Sequence, residues 1–466
     1  MGEERTTSST TADPAAADDR DEFGRPKTVL SWVQLLAVTA YWLAITVLWG
    51  AFTFSVIPRL VESKGVLGSS THPLAGLAIG VITTAGVLIA ILVQPTMGAI
   101  SDNTRARIGR RKPYILIGTA MDLFFLAFAA WAFWNQNYWA FVVAVALLQF
   151  SSNFAQGPYQ GYIPDLVPGR QVGIASGLLG AANIAGNLLG PGLAILFVAV
   201  LPKALGVPQV ALGLFAAIAV VEVTTMLITV FIVPDRPAPP TSKTLRQRAL
   251  GAWGTDLLAN RDYVWLLISR LFVLTALVSL QAFAVFFLEN AHHMEPDEAQ
   301  TSQFPIIITV AVAALLSAVP GGWISSRIGR KPVLFVAIGL GIVGAAMIAF
   351  GPDYWMVVAA AVPIGICSGV FLGVDWALMT DIIPKAESGR YMGISNIAVA
   401  SAGPIASTIG GLLVFFVSLA TLGPELAYRA IFLLMGVELA LGAWALRRVT
   451  EPARGGTLEA RPVPAA

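Results

Sequence analysis

Residues 98–113 read GAISDNTRARIGRRKP, a short loop with apolar segments of membrane-spanning length on both sides. Its cationic residues are Arg105, Arg107, Arg110, Arg111 and Lys112. Cations packed this densely between two spans stay on the cytoplasmic side, because carrying them across a bilayer is unfavourable. The loop therefore determines the predicted orientation of the spans on either side of it.

A shorter copy of this loop lies at 321–332, GGWISSRIGRKP. RIGRRKP in the first loop and RIGRKP in the second match except for one arginine. A second pair of similar segments follows the loops: Asp165 lies just beyond the predicted fourth span and Asp381 just beyond the predicted tenth. Repetition of this kind predicts two related halves. Two repeated halves of membrane spans are typical of transporters.

The composition indicates a membrane protein. The chain is 56% hydrophobic and 12% charged, with a mean hydropathy of +0.74, and its apolar runs leave no polar stretch long enough for a soluble domain. The net charge of +2 is small and its cations sit in short loops, so we expect no nucleic-acid partner. No nucleophile, base and orienting group recur together, so we expect neither an enzyme nor a cofactor. His292 and His293 lack a clear third ligand, so no metal site is predicted.

The sequence predicts an all-α integral membrane protein with twelve transmembrane helices in two pseudo-symmetric halves of six. Residues 28–233 and 263–448 form the halves, 234–262 a cytoplasmic linker, 1–27 a disordered cytoplasmic tail and 449–466 a second cytoplasmic tail. Most Lys and Arg lie in the tails and in the loops on one side, which places both termini in the cytoplasm and the protein in the cell membrane. The predicted spans are 31–57, 73–99, 114–134, 138–161, 172–201, 209–233, 263–289, 303–324, 333–351, 354–379, 391–419 and 425–447.

Acids and cations meet at the predicted cytoplasmic ends of the spans in both halves. Carboxylates and guanidinium groups can pair there when the cytoplasmic mouth closes and separate when it opens. Helix capping and topology-setting charge are the alternative interpretation. The predicted gate residues are Asp102, Arg107, Arg110, Asp165, Arg170, Arg327, Asp381 and Arg390.

Polar side chains follow one face of the predicted fourth span, at spacings of three, four, seven and eleven residues. In lipid such a stripe must face protein or a water-filled cavity. Amides both donate and accept hydrogen bonds, which suits a neutral hydroxylated ligand, and aromatic rings can stack on a sugar. Packing between helices is the alternative. The predicted substrate-binding residues are Trp42, Trp49, Gln149, Asn153, Gln156, Tyr159, Gln160, Asn183 and Asn187.

Gly98-xxx-Asp102 followed by RxGRR resembles the signature of the major facilitator superfamily. The longer stretch SDNTRARIGRRKPYILIGT at 101–119 is similar to the glycoside-pentoside-hexuronide symporters and to plant sucrose transporters. So are the Gln-Gly-Pro at 156–158 and GNLLG at 186–190, while GVDWALMTDIIP at 373–384 extends the likeness into the second half. The resemblance implies the major facilitator fold, a sugar-like substrate and a cavity lined by the tenth span.

Charged groups inside spans are functional candidates, because burying them is costly. The resemblance favours Asp375, in the tenth span, as the first proton carrier and Asp122 as the second. Arg270 either reaches the inner surface or pairs with Asp375 or Asp381. Glu222 and Glu438, which occupy corresponding places in the last span of each half, are interpreted as structural.

Two departures from the relatives bear on coupling. Melibiose permeases carry sodium-binding acids where this chain has Ala90 and Gln94, which argues against a sodium site of that kind. Sucrose transporters carry an acid where this chain has Gln149, which argues against their route for the proton.

The expected function is proton-coupled uptake of a neutral sugar or glycoside, with the small molecule, protons and the lipid bilayer as partners. A proton-driven exporter of amphipathic compounds is the first alternative. A non-transporting sensor or lipid-handling protein on the same fold is the second.

Overall fold

The computed structural model describes residues 27–61, 63, 65–66, 75–206, 208–238, 244–251, 253, 257, 259–384, 387–419 and 423–451. Twelve helices in this part of the chain are long and apolar enough to cross a membrane, and no strand occurs among the described residues. They are α1 (Trp32–Val61), α2 (Ala75–Asp102), α3 (Lys112–Trp134), α4 (Tyr138–Leu166), α5 (Val172–Leu205), α6 (Gly213–Ile232), α7 (Arg261–Ala291), α8 (Pro296–Ile328), α9 (Arg330–Phe350), α10 (Tyr354–Ile382), α11 (Ser388–Leu419) and α12 (Pro424–Arg447).

The predicted fold class is confirmed, and most predicted spans agree with the helices within a few residues. The largest difference is α8, which begins at Pro296 where the span was expected to begin at residue 303. Hydropathy marks the apolar segment, whereas a helix can continue into water beyond it. The predicted tails at 1–27 and 449–466 fall almost wholly outside the described residues, as does part of the 234–262 linker, in which a short helix runs Leu245–Gly251.

Polar residues start several helices. Ser31 and Gln34 form a capping box at the start of α1. Asn137, Asn260 and Asp353 accept hydrogen bonds from backbone N–H groups at the starts of α4, α7 and α10. These caps satisfy N–H groups that have no partner within the helix.

Each half is a bundle of six helices. In the first half, α1 packs against α5 and α6, while α4 packs against α2 and α3. In the second half, α10 packs against α8 and α9, and α12 packs against α7 and α9. The halves contact each other mainly through α2 with α11, and through α5 with α8 and α10.

Glycines let the halves approach closely at one end, which we call the basic rim and define as the end that carries loops 98–113 and 321–332. A Cβ atom on Gly98 would overlap the backbone of Gly389, and one on Gly173 would overlap that of Gly322. Farther along α5, residues 187–189 are exposed. The halves therefore approach each other closely at the basic rim.

Candidate functional site

Arg111 is the centre of a charge cluster at the basic rim. Its side chain is 0% exposed and lies 2.6 Å from Asp102 and 2.9 Å from Asp165. It also donates hydrogen bonds to Ser101 at 2.5 Å and to Ser388 at 3.0 Å. Burial opposes the charged form of Arg111, but Asp165 and Asp102 outweigh it and raise the pKa of the guanidinium group. Two acids and several hydroxyl partners thus hold a buried cation.

The same cluster joins the two halves. Asp102 accepts hydrogen bonds from the backbone N–H groups of Gly389 and Arg390, each at 3.1 Å, in the first turn of α11. The Ser388 hydroxyl donates to Asp165 at 2.7 Å. A carboxylate at a helix N-terminus is favourable, because it satisfies orphan N–H groups and faces the positive end of the helix dipole. Side chains of the first half therefore hold the start of α11 in place.

The second half contains a copy of the cluster around Arg330. The Arg330 guanidinium lies 3.2 Å from Asp381 and donates to Ser325 and Ser326 at 2.9 Å. It packs against Gly173 at the start of α5, as Arg111 packs against Gly389 at the start of α11. The clusters are thus related by the sequence repeat.

An acid following the last helix of each half caps the third helix of that half. Asp235 accepts hydrogen bonds from the N–H groups of Arg111 at 2.7 Å and Lys112 at 3.0 Å. Glu451 accepts from the N–H groups of residues 330 and 331 at 2.5 and 3.2 Å. These caps lock each repeated loop to the end of its own bundle.

The predicted gate residues divide into two groups. Asp102, Asp165 and Asp381 lie in the clusters, and Arg110 reaches Asp165 at 2.6 Å. Arg390 contacts Asp102 through its N–H group, and its side chain contacts Glu387 at 2.7 Å.

The other three predicted gate residues lie outside the clusters. Arg107 and Arg170 are exposed. Arg327 is also exposed and lies 3.9 Å from the centre of the Trp323 ring.

Sequence reasoning did not select Arg111 or Arg330 for the gate, although both occupy the central positions. Both immediately precede Lys-Pro in the repeated loops. Alignment of the two copies on Lys-Pro was the signal that could have identified them.

Three aromatic rings join the halves farther from the rim. Trp42 of α1 stacks on Tyr159 of α4, with ring centres 6.2 Å apart. It also meets Trp376 of α10 edge-on at 5.3 Å. The Tyr159 hydroxyl donates to the Val38 backbone carbonyl at 2.7 Å and accepts from the backbone N–H of Trp42 at 3.3 Å. These hydrogen bonds hold two predicted binding residues, Trp42 and Tyr159, in a fixed arrangement.

Asp375 and Arg270 form a buried ion pair beside these rings. Arg270 Nε lies 3.1 Å from Asp375 Oδ2, Arg270 Nη1 donates to Ser395 at 3.1 Å, and the guanidinium lies 5.3 Å from the Trp376 ring centre. Of the three roles left open for Arg270, the structure shows pairing with Asp375. Asp375 Oδ1 is buried and has no hydrogen-bond partner among the described residues. One oxygen of the first predicted proton carrier is therefore available to another donor.

Several predicted binding amides bond to one another within a single helix. Asn153 donates to the Gln149 carbonyl at 2.7 Å and to its side-chain oxygen at 3.0 Å. Asn187 bonds to Asn183 in the same way. An amide satisfied by a neighbour in its own helix offers less to a ligand.

Gln160, Gln156 and Trp49 lie in different surroundings. Gln160 is buried, and both polar atoms of its side chain have no hydrogen-bond partner in the described part of the chain. Gln156 is also buried, and Trp49 donates to Ser152 at 3.3 Å.

Gln94, which was not selected as a binding residue, lies at the contact between α2 and α11. Its side-chain oxygen accepts a hydrogen bond from Asn396 at 2.5 Å, across the two halves. Its Nε2 is buried and has no hydrogen-bond partner among the described residues. Its place just before the basic loop was the available signal.

Asp122, the second predicted proton carrier, lies inside the first bundle. It accepts a hydrogen bond from Ser151 at 2.5 Å and is hydrogen-bonded to Glu222 of α6. Among the described residues, no group of three or more His, Cys, Asp or Glu side chains could hold a metal ion.

The family model described as MFS/sugar transport protein matches residues 72–430 of the chain. The chain belongs to this family. It is therefore a multi-pass transporter of the major facilitator superfamily, of the branch that includes sucrose transporters.

The curated relatives include proteins with two different names. The chain is 28% identical over 194 residues to Sucrose transport protein SUC4 of Arabidopsis thaliana, a match that covers 38% of this chain and 36% of that protein. It is 25% identical over 389 residues to Multidrug resistance protein MdtG of Proteus mirabilis (strain HI4320), which covers 82% of this chain and 90% of that protein. The chain thus spans about a third of the sucrose transport protein and most of the multidrug resistance protein.

Solved structures with this architecture include two sugar symporters. The chain resembles the E. coli fucose:proton symporter FucP, with a TM-score of 0.67 and 14% identity over 89% of this chain and 98% of that one. It resembles the proton:xylose symporter XylE, with a TM-score of 0.65 and 17% identity over 90% and 96%. At these identities the likeness shows the fold alone, which is the major facilitator fold.

Proposed function

We propose that this transporter carries a neutral sugar or glycoside together with a proton, by alternating access between two rocking halves. One observation supports this most strongly: buried polar atoms without partners among the described residues occur on helices α2, α4 and α10. They are Gln160 Oε1 and Nε2, Gln94 Nε2, Asp375 Oδ1 and Trp376 Nε1. Such atoms are costly to leave unsatisfied, so a ligand rich in hydroxyl groups that bonds to them would be stabilised.

The aromatic contact suits the same ligand. Trp42 and Trp376 come from opposite halves and touch at one edge. A sugar ring placed between them would have apolar faces against the indoles and hydroxyls towards the amides. Both halves would then bind the substrate, which is what alternating access requires.

Asp375 and Arg270 supply a mechanism for coupling. A proton on Asp375 removes its negative charge and weakens its attraction to Arg270, while a substrate hydroxyl can bond to the freed groups. Proton binding and sugar binding would then favour the same state. The contacts that Asp102, Asp165 and Arg111 make with residues 388–390 of α11 would separate when the basic rim opens.

The proposed orientation places the basic rim and both termini on the cytoplasmic side of the cell membrane. The cationic loops support it, since they resist translocation. The present structure would then be closed to the cytoplasm, because the halves meet at the basic rim.

An exporter of amphipathic compounds is the second candidate. The match to the multidrug resistance protein, which covers 82% of this chain, supports it. Large aromatic surfaces between the halves would suit an amphipathic compound equally well.

Proteoliposomes containing the wild type, Asp375→Asn or Glu438→Gln would distinguish the two candidates. Labelled mono- and disaccharides and a cationic dye would be offered with and without an inward proton gradient. We expect gradient-driven sugar accumulation in the wild type and in the control Glu438→Gln. In Asp375→Asn we expect exchange of sugar to survive while accumulation is lost. Dye movement without sugar flux would overturn the proposal and favour the exporter.

A further inference from the structure

The carboxyl groups of Asp122 and Glu222 form a buried pair between α3 and α6. They are hydrogen-bonded to each other, and both side chains are buried. Two ionised carboxylates have only acceptors, so they cannot hydrogen-bond to each other unless one of them holds a proton. The observed contact therefore requires at least one proton on the pair.

The groups around the pair are hydroxyls rather than cations. Ser151 of α4 donates to Asp122, and the Tyr41 hydroxyl of α1 is hydrogen-bonded at 2.8 Å to Thr119, which lies about one turn before Asp122 on α3. Helix α5 has no titratable side chain before Lys203. Neither acid forms an ion pair with a Lys, Arg or His among the described residues, and Glu222 Oε2 is buried there with no hydrogen-bond partner. Asp375 differs, because Arg270 balances its charge.

The second half shows that this fold does not need the pair. The repeats are aligned here on Pro113 with Pro332, Asp165 with Asp381, and Val233 with Val449. In this alignment Asp122 corresponds to Gly341, Ser151 to Cys367 and Glu222 to Glu438. Gly341 packs against Cys367 and Leu439, so the equivalent site holds no second acid. Packing of a six-helix bundle is thus possible without two carboxyl groups at this place.

A chain of aromatic contacts connects the pair to the contact between the halves. The Tyr41 ring meets the Tyr159 ring edge-on at 5.3 Å. Tyr159 stacks on Trp42, and Trp42 touches Trp376 of the other half. A change in charge at the pair would therefore act on Tyr41 first and on Trp42 through Tyr159.

We propose that Asp122 and Glu222 form a proton-binding site of the carrier that lies inside the first bundle and outside the substrate cavity. One proton, shared by the two carboxyls, is bound in the state with the basic rim closed. Its release to water leaves two like charges in contact, which pushes α3 and α6 apart and alters the Tyr41, Tyr159 and Trp42 contacts. The coupling role of this proton rests on the proposed function, whereas its binding does not.

The binding test uses purified full-length protein without substrate. Tryptophan fluorescence would be recorded against pH for the wild type, Asp122→Asn, Glu222→Gln and the control Glu438→Gln. Infrared difference spectra over the same pH range would follow the carbonyl band of protonated carboxylic acids. We expect a fluorescence transition and a matching loss of the carbonyl band in the wild type and in Glu438→Gln, both absent from the two variants of the pair.

Three outcomes would overturn the proposal. The first is a fluorescence transition that is unchanged in Asp122→Asn and Glu222→Gln. The second is a transition that is lost in Glu438→Gln as well, and the third is a transition that sodium drives at constant pH. Circular dichroism and size-exclusion profiles identify any variant that fails to fold. If a single variant fails to fold, the double variant Asp122→Asn with Glu222→Gln replaces it, because its two amides can still hydrogen-bond to each other. A transition confined to the pair would support proton binding there even if no sugar were transported, so this test and that of the proposed function can fail separately.

Discussion

The two rim clusters have the same plan but differ at one residue. Arg111 and Arg330 are both buried, both contact an acid from the fourth helix of their half, and both face a glycine of the other half. The position that is Asp102 in the first half is Ser326 in the second. Asp102 reaches the first N–H groups of α11, whereas Ser326 bonds to Arg330 and to its own helix. Duplication thus supplies the scaffold, and one substitution puts a carboxylate in the first cluster where the second has a hydroxyl.

Removing the two central arginines should have the largest effect and an unequal one. Arg111→Met leaves Asp102 and Asp165 buried without a cation, which we expect to cost about 3–5 kcal/mol of unfolding free energy. Arg330→Met should cost less, roughly 1–3 kcal/mol, because water can reach the Asp381 side chain, which is 19% exposed. Reversible unfolding in mixed detergent micelles measures both. Equal losses of unfolding free energy in the two variants would contradict the expected difference between the two clusters.

The next effect concerns Asp375 and Tyr159, which correspond to each other when the repeats are aligned on Asp165 and Asp381. Asp375→Asn leaves Arg270 without its ion-pair partner and should cost about 2–4 kcal/mol. Tyr159→Phe removes hydrogen bonds to Val38 and Trp42 and should cost about 1–2 kcal/mol while keeping the ring stack. The same unfolding assay measures both variants. A larger loss in Tyr159→Phe would show that the ion pair contributes less than the tyrosine hydroxyl.

Asp102→Asn tests the contact between Asp102 and the start of α11 directly. It removes a charge from the N-terminus of α11, and we expect the closed rim to lose about 1–2 kcal/mol relative to the open one. Spin labels at the exposed positions Arg107 and Ile328 would report the separation of the halves. The population with a longer distance should rise roughly 5- to 30-fold.

The converse substitution, Ser326→Asp, places a second carboxylate beside Arg330 and the start of α5. We expect it to reduce the population with a longer distance between the same labels. An unchanged distance distribution in both variants would show that the carboxylate does not hold the rim closed.

The smallest effects should come from the acidic caps and should be alike. Asp235→Ala and Glu451→Ala each remove a side chain that accepts two N–H groups at the start of a helix. Each should cost about 1 kcal/mol of unfolding free energy. A difference of more than about 1 kcal/mol between the two would indicate that the caps, like the clusters, have diverged.

Hydropathy and the repeated loop were sufficient to predict the twelve helices and their division into two halves. A span must be about 20 apolar residues long whatever its neighbours are, so its signal is local. The long helix α8 shows the limit, because its first residues are polar and extend beyond the apolar segment. Placement of individual site residues was less predictable, since it depends on contacts between segments far apart in the chain.

The arginines of the basic loops illustrate this best. Any cation in these loops contributes to orientation, so the sequence could not separate Arg107 from Arg111. The structure does: Arg107 is exposed, and Arg111 is buried between acids from two other segments. Which arginine turns inward depends on the end of α2, the end of α4 and the start of α11 meeting at one point.

The sequence by itself determined that this chain crosses the membrane twelve times, in two related halves with basic loops on one side. Composition and periodicity are properties of single segments, so they can be read without knowing the fold. Only the tertiary structure decided that Arg270 pairs with Asp375 and that Asp122 meets Glu222. It also decided which amides are satisfied. Asn153 bonds to Gln149, whereas the polar atoms of the Gln160 side chain have no partner in the described part of the chain. Each of these depends on the rotation and depth of one helix against another, which packing sets and local sequence does not.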